Sequence, residues 1–106
     1  KSFNEEFYRK TCKGRLEPVL EVIKRSSRSC HIELTNLIIP TLNDKEDEIR
    51  RMADWICDNL GPETPLHFSR YFPCYKMNLP ATPVETLRMA ERIAKERLKY
   101  VYLGNI

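Results

Sequence analysis

Several features are scarce or missing in this 106-residue chain, and each omission excludes a class of function. Only three glycines occur, and no glycine-rich phosphate loop, nucleophile elbow or HExxH helix can be found. No apolar run approaches the roughly 18 residues that span a bilayer, and Lys1-Ser2-Phe3-Asn4 does not open a signal peptide, so the expectation is a cytoplasmic protein with no membrane partner. The four cysteines, Cys12, Cys30, Cys57 and Cys74, stand far apart with no CxxC or CxxxCxxC spacing. Metal ligands usually come at least partly in close pairs, so these residues read as free thiols and no metal ligand is expected in this chain. Blocks of like charge are absent as well. Eighteen lysines and arginines are interleaved with fifteen carboxylates for a net charge of +3, which does not mark a nucleic-acid binder. Internal repeats and low-complexity segments are also lacking.

What is present is an alternation of helical and strand-like segments. Three runs, HIELTNLIIP (31–40), PLHFSRYFP (65–73) and KYVYLGNI (99–106), each carry polar residues near or just past an apolar core. Strands of a parallel barrel are buried on both faces and collect their chemistry at their C-terminal ends. Thr35, Asn36, Ser69, Arg70, Gly104 and Asn105 occupy such positions. Helices are predicted over 3–12, closed by Gly14, and over about 16–26, with Pro18 tolerated in the first turn. A third begins after Asn43 or Asp44 as N-cap. It carries Ile49, Met52, Ala53, Ile56, Cys57 and Leu60 on one stripe and ends at Gly61-Pro62. Thr82, Pro83 and Glu85 read as a capping box for a fourth helix with Leu87, Ala90, Ile93, Ala94 and Leu98 on one side. The loop 73–81 is too long for a tight connection, a common property of functional loops.

No hairpin-length connection joins the strands, so parallel pairing through crossovers follows. The expected fold class is α/β, a partial TIM-type barrel of about three parallel strands with covering helices. An eight-unit barrel needs roughly 200 residues or more, so the expectation is one domain that is itself a fragment. Its open sheet edges predict self-association of the isolated piece.

Individual residues extend the reading. Glu33 and Thr35 share a face by the strand period of two, and a carboxylate facing inward there would need a partner. His31 and His67 read as hydrogen-bonded packing residues. Arg70, beside Tyr71 and Phe72, suits a carboxylate, a phosphate or a flat ring. Gly104-Asn105 suits a backbone turn that a ligand can approach.

Taken together, LTNLIIPTLND, HFSRYFPCYKM and TPVETLRMAERIAKERLKYVYLGNI resemble the C-terminal half of radical S-adenosylmethionine enzymes of the pyruvate formate-lyase activating type. The AmmeMemoRadiSam branch typically reads NLIIPGLND, HFSRFFPDYKM and YVYxGNxPG at these places. This chain departs from that pattern at Thr41, where glycine is usual, and at Cys74, where aspartate is usual.

The resemblance covers essentially the whole chain and implies a partial barrel. Its complete form would bind a [4Fe-4S] cluster through an N-terminal CxxxCxxC and hold S-adenosylmethionine on the open iron. With one electron from a donor it would cleave S-adenosylmethionine to a 5'-deoxyadenosyl radical, which abstracts hydrogen from an unassigned substrate, a protein among the candidates. The cluster ligands and the residues that start the reaction would then lie outside this chain, which alone would be inactive. By resemblance Lys1 matches the lysine of a DxK strand end beside the cofactor, without the preceding aspartate. Thr35 matches a strand residue facing the cofactor, and Ser69, Arg70 and Tyr71 match a strand carrying a histidine near the nucleoside, with Arg70 or Tyr71 in its place. Thr35, Ser69, Arg70 and Asn105 are therefore the positions expected to face cofactor or substrate. The competing expectation is a small stand-alone α/β module that binds a protein or anionic partner through its sheet edges and Arg70.

Overall fold

The computed structural model describes residues 3, 5–10, 14–73 and 79–106. Its elements run α1 (Glu5–Lys10), α2 (Leu16–Ser27), β1 (Leu34–Ile38), α3 (Glu46–Leu60), β2 (Leu66–Arg70), α4 (Val84–Lys95) and β3 (Val101–Gly104). The three strands form one parallel sheet in the order β1-β2-β3. The α/β class and the parallel pairing are thus as expected. The strands are shorter than the apolar runs suggested, because the residues on either side serve the connections.

The core lies between one face of the sheet and the helices α3 and α4. Alternation along each strand sends Ile38, Leu66, Phe68 and Val101 to that side. Ile49, Met52, Ala53 and Ile56 meet them from α3, and Leu87, Ala90, Ile93 and Ala94 from α4. Alanines at 53, 90 and 94 let the helices approach closely, while Phe68, fully buried, fills the centre. Leu98, also buried, anchors the turn into β3. From the same turn Arg97 donates to Asp54 at 2.6 Å and to Asp58 at 2.8 Å, tying it to α3.

Two helix starts differ from their sequence reading. The N-cap of α3 is Lys45, and that of α4 is Pro83, neither with a side-chain capping bond. Asn43, Asp44 and the Thr82 box do not cap these helices, because the side chains of Asn43 and Thr82 are drawn to the strand ends. Acidic Glu46, Asp47 and Glu48 still occupy the first turn of α3, where the helix dipole favours negative charge. Its other end is closed by Gly61 at a φ of 103°, a conformation open to glycine, whose N–H reaches the carbonyls of Ile56 and Cys57. α2 packs on α1 and α3 and buries no residue fully.

Among the described residues no helix covers the other sheet face. Thr35, Leu37 and Tyr102 on it are exposed, and His67 and Ser69 are partly exposed. Of the cysteines, Cys30 is exposed and Cys57 half-buried, and both are free. Cys12 and Cys74 lie outside the described residues. No helix among the described residues is long and apolar enough to cross a membrane.

Candidate functional site on the open sheet face

The pairing register arranges the open face in two rows. Thr35 lies beside His67, and His67 beside Tyr102. One step toward the C-terminal ends, Leu37 lies beside Ser69, and Ser69 beside Gly104. Asn105 follows directly at a φ of 59°, a left-handed conformation that asparagine adopts more readily than most residues. Its side-chain amide donates to Ser69 Oγ at 3.1 Å. Ser69 and Asn105, distant in sequence, thereby form one polar station, with Thr35 diagonally across on the same face.

Arg70 and Tyr71 go elsewhere. Arg70 falls on the alternate position of β2, and its Nε donates to the carbonyl of Thr82 at 2.7 Å while its guanidinium sits 4.8 Å from the Phe72 ring centroid. Tyr71 is buried, packs with Ile39, Leu42 and Leu79, and donates its hydroxyl hydrogen to the Leu79 carbonyl at 3.1 Å. Both side chains hold the connection between β2 and α4. Lys1 lies outside the described residues.

Two buried polar residues fasten the strand ends. Asn43 Oδ1 accepts from the Ile39 N–H at 2.7 Å, and its Nδ2 donates to the Leu37 carbonyl at 2.8 Å. Thr82 Oγ1 donates to the Ile38 carbonyl at 2.6 Å and accepts from the Tyr71 N–H at 3.2 Å, so that one hydroxyl joins the ends of β1 and β2. These groups replace the ladder partners that the backbone loses where each strand stops. They hold the C-terminal edge of the sheet in a fixed form, which a site built on strand ends requires.

The sequence reading did not pair the residues of the lower row. Glu33 Oε1 accepts from His67 Nε2 at 2.6 Å, and its Oε2 accepts from His31 Nε2 at 3.2 Å. These bonds, His67 first, hold the Glu33 carboxyl below its ordinary value. The Tyr102 ring lies 5.1 Å from that of His67 at a tilt of 32°. Glu33 faces the open side as its period predicts, and it is half-exposed there, not enclosed. Nothing local joins Glu33 to His67, because only the register of β1 on β2 does so.

Concave surfaces lie on the helical side. A cavity of about 420 Å³ is lined by Glu5, Arg15, Leu16, Lys24 and Trp55. A tighter apolar groove runs between α2 and α3, with Leu20, Ile23, Met52 and Trp55 on its walls and Thr35 at its rim.

No family model matches the chain. It is 50% identical, over an alignment that takes in 97% of its length, to the uncharacterized protein MJ0808 of Methanocaldococcus jannaschii. That alignment takes in 32% of the archaeal protein, so the chain spans about a third of the length of the curated relative that it matches.

Proposed function

We propose that this chain forms one wall of a radical S-adenosylmethionine enzyme resembling the pyruvate formate-lyase activating type, with the open sheet face turned toward the interior of a partial barrel. The observation that carries the reading is the meeting of Ser69 and Asn105 at the C-terminal ends of β2 and β3, where such folds keep their ligands, with Thr35 on the same sheet face nearer the start of β1. These residues come from the three stretches that resemble the enzyme family. In the complete enzyme, S-adenosylmethionine would be cleaved reductively for hydrogen abstraction from an unassigned substrate, a protein among the candidates.

The two implied groups fit these residues differently. An iron–sulfur cluster takes several converging thiolates. Among the described residues no group of histidine, cysteine or carboxylate side chains is arranged to hold a metal ion, and Cys30 and Cys57 lie on separate elements. The described residues therefore do not fit the cluster, and its ligands would belong to other parts of the complete protein. S-adenosylmethionine fits better. The hydroxyls of Thr35 and Ser69 and the amide of Asn105 offer donors and acceptors for its amino, carboxylate and ribose groups. When bound, it would supply the hydrogen-abstracting chemistry. Asn105 would orient Ser69, and the strand ends fastened by Asn43 and Thr82 would keep both in place.

The test uses the full-length protein that carries this chain, purified without oxygen and reconstituted with iron and sulfide. Charge-transfer absorbance of a cluster is expected, with methionine and 5'-deoxyadenosine released after addition of S-adenosylmethionine and dithionite. Ser69→Ala and Asn105→Ala should each lower that release about tenfold, the effect of losing one well-made polar contact of about 1.4 kcal/mol. A protein that assembles no cluster and cleaves no S-adenosylmethionine would remove the enzyme reading and leave the binding module.

A further inference from the structure

We propose that Glu33 and His67 form a carboxylate–imidazole pair that presents His67 Nδ1 on the open sheet face as a proton acceptor for a hydroxyl or ammonium group of a bound small molecule. The assignment follows from the hydrogen bonds. At neutral pH Glu33 is ionised and has no proton to donate, so the 2.6 Å bond between its Oε1 and His67 Nε2 requires the hydrogen on Nε2. In the neutral ring the lone pair is then on Nδ1. Among the described residues no group bonds to that nitrogen.

The ring is held from two sides. Glu33 fixes one edge, and the Tyr102 ring, 5.1 Å away, flanks it from the neighbouring strand. A carboxylate in this position orients the imidazole and stabilises the imidazolium formed when Nδ1 takes up a proton, the arrangement used by many general bases. His31, on the other oxygen of Glu33 at 3.2 Å, holds the carboxylate itself in place. The proton passes from the ligand's O–H or N–H to Nδ1, and the resulting anion or free amine stays on the face.

Position supplies the second argument. His67 and Ser69 are two residues apart on β2 and point to the same face, so their Cα atoms stand about 7 Å apart along the strand and the imidazole neighbours the Ser69 and Asn105 station. A small molecule anchored there would reach both. Neither the resemblance nor the radical reading is needed for this pair, and the outcome of either test leaves the other standing.

The first experiment records long-range proton–nitrogen correlations of the histidine rings in the full-length protein, at a pH of about 8 where free histidine is neutral. His67 should show the tautomer protonated at Nε2, and Glu33→Ala should return it to the mixture found in unstructured peptides. A ring protonated at Nδ1, or a spectrum that Glu33→Ala leaves unchanged, overturns the assignment. The second experiment probes access with diethyl pyrocarbonate, which transfers an ethoxycarbonyl group to an imidazole lone pair as ethyl carbonate leaves. Peptide mass spectrometry should find His67 modified in the native protein, and several-fold more slowly in Glu33→Gln, a half-exposed position where the fold is not at risk. A native protein whose His67 stays unmodified while His31 reacts would show that the lone pair is not on offer.

Discussion

Replacing Thr82 by valine removes one hydroxyl and keeps nearly the same shape, and its effect separates two roles that threonine can have before a helix. In this protein Thr82 is fully buried, and its Oγ1 joins the Ile38 carbonyl at 2.6 Å to the Tyr71 N–H at 3.2 Å. Valine leaves both backbone groups buried without that partner, at about 1–3 kcal/mol each. The added methyl returns about 0.8 kcal/mol. A net loss of roughly 1–5 kcal/mol is expected, centred near 3, a large part of the 5–15 kcal/mol typical of a small domain. If Thr82 were only a helix cap, valine would cost nearer 1 kcal/mol. Urea unfolding followed by circular dichroism and by Trp55 fluorescence measures the difference, with an unchanged slope showing that the same surface is exposed. Thr82→Ser keeps the hydroxyl and should lose only about 1 kcal/mol, for one buried methyl. A valine variant within about 0.5 kcal/mol of the serine variant would refute the bridging role.

Thr41 has a φ of 68°, where a residue with a side chain is strained by about 1–2 kcal/mol, and its side chain is exposed. Thr41→Gly should therefore stabilise the fold by about 0.5–1 kcal/mol after the added freedom of the unfolded chain is subtracted, and a lowered melting temperature would count against the strain. Asn43→Ala deprives the Ile39 N–H and the Leu37 carbonyl of partners at a buried position, and thermal unfolding should register a loss of about 2–4 kcal/mol. Glu33 titrates below 4.5 in the folded protein because it accepts bonds from His67 and His31. The stability it contributes is full above 4.5 and fades as pH falls through the folded value, so wild type and Glu33→Gln should converge in acid unfolding profiles. Profiles that stay parallel to the acid limit would contradict the linkage. Among the described residues β1 and β3 each leave an unpaired edge, and light scattering of the isolated chain should find dimers or larger species, whereas a monodisperse monomer would disprove this.

Much of the architecture is written locally. The stripe from Ile49 to Ile56 and that from Leu87 to Ala94 need only a period of 3.6 to declare buried helix faces, and both are buried. The absence of hairpin-length links between strands was enough to require parallel pairing. Of the site, Ser69 and Asn105 were legible as polar residues at strand ends, and the fold brings them within 3.1 Å. Arg70 was equally legible by that rule, and Tyr71 entered through the family resemblance. Yet the alternation of β2 turns Arg70 to the Thr82 carbonyl, and loop packing encloses Tyr71.

Asn43 and Thr82 carry the clearest lesson, because short polar side chains before a helix satisfy the pattern of a cap whether or not they make one. Their hydroxyl and amide are claimed by strand-end backbone groups, a competition between partners that spacing along the chain does not record. The amino-acid sequence by itself determined the element types, their order and their apolar faces, since each follows from interactions among residues a few positions apart. Only the tertiary structure decided that Glu33 meets His67 and that Tyr102 flanks them, because the register of three parallel strands is set by packing of the whole sheet on α3 and α4.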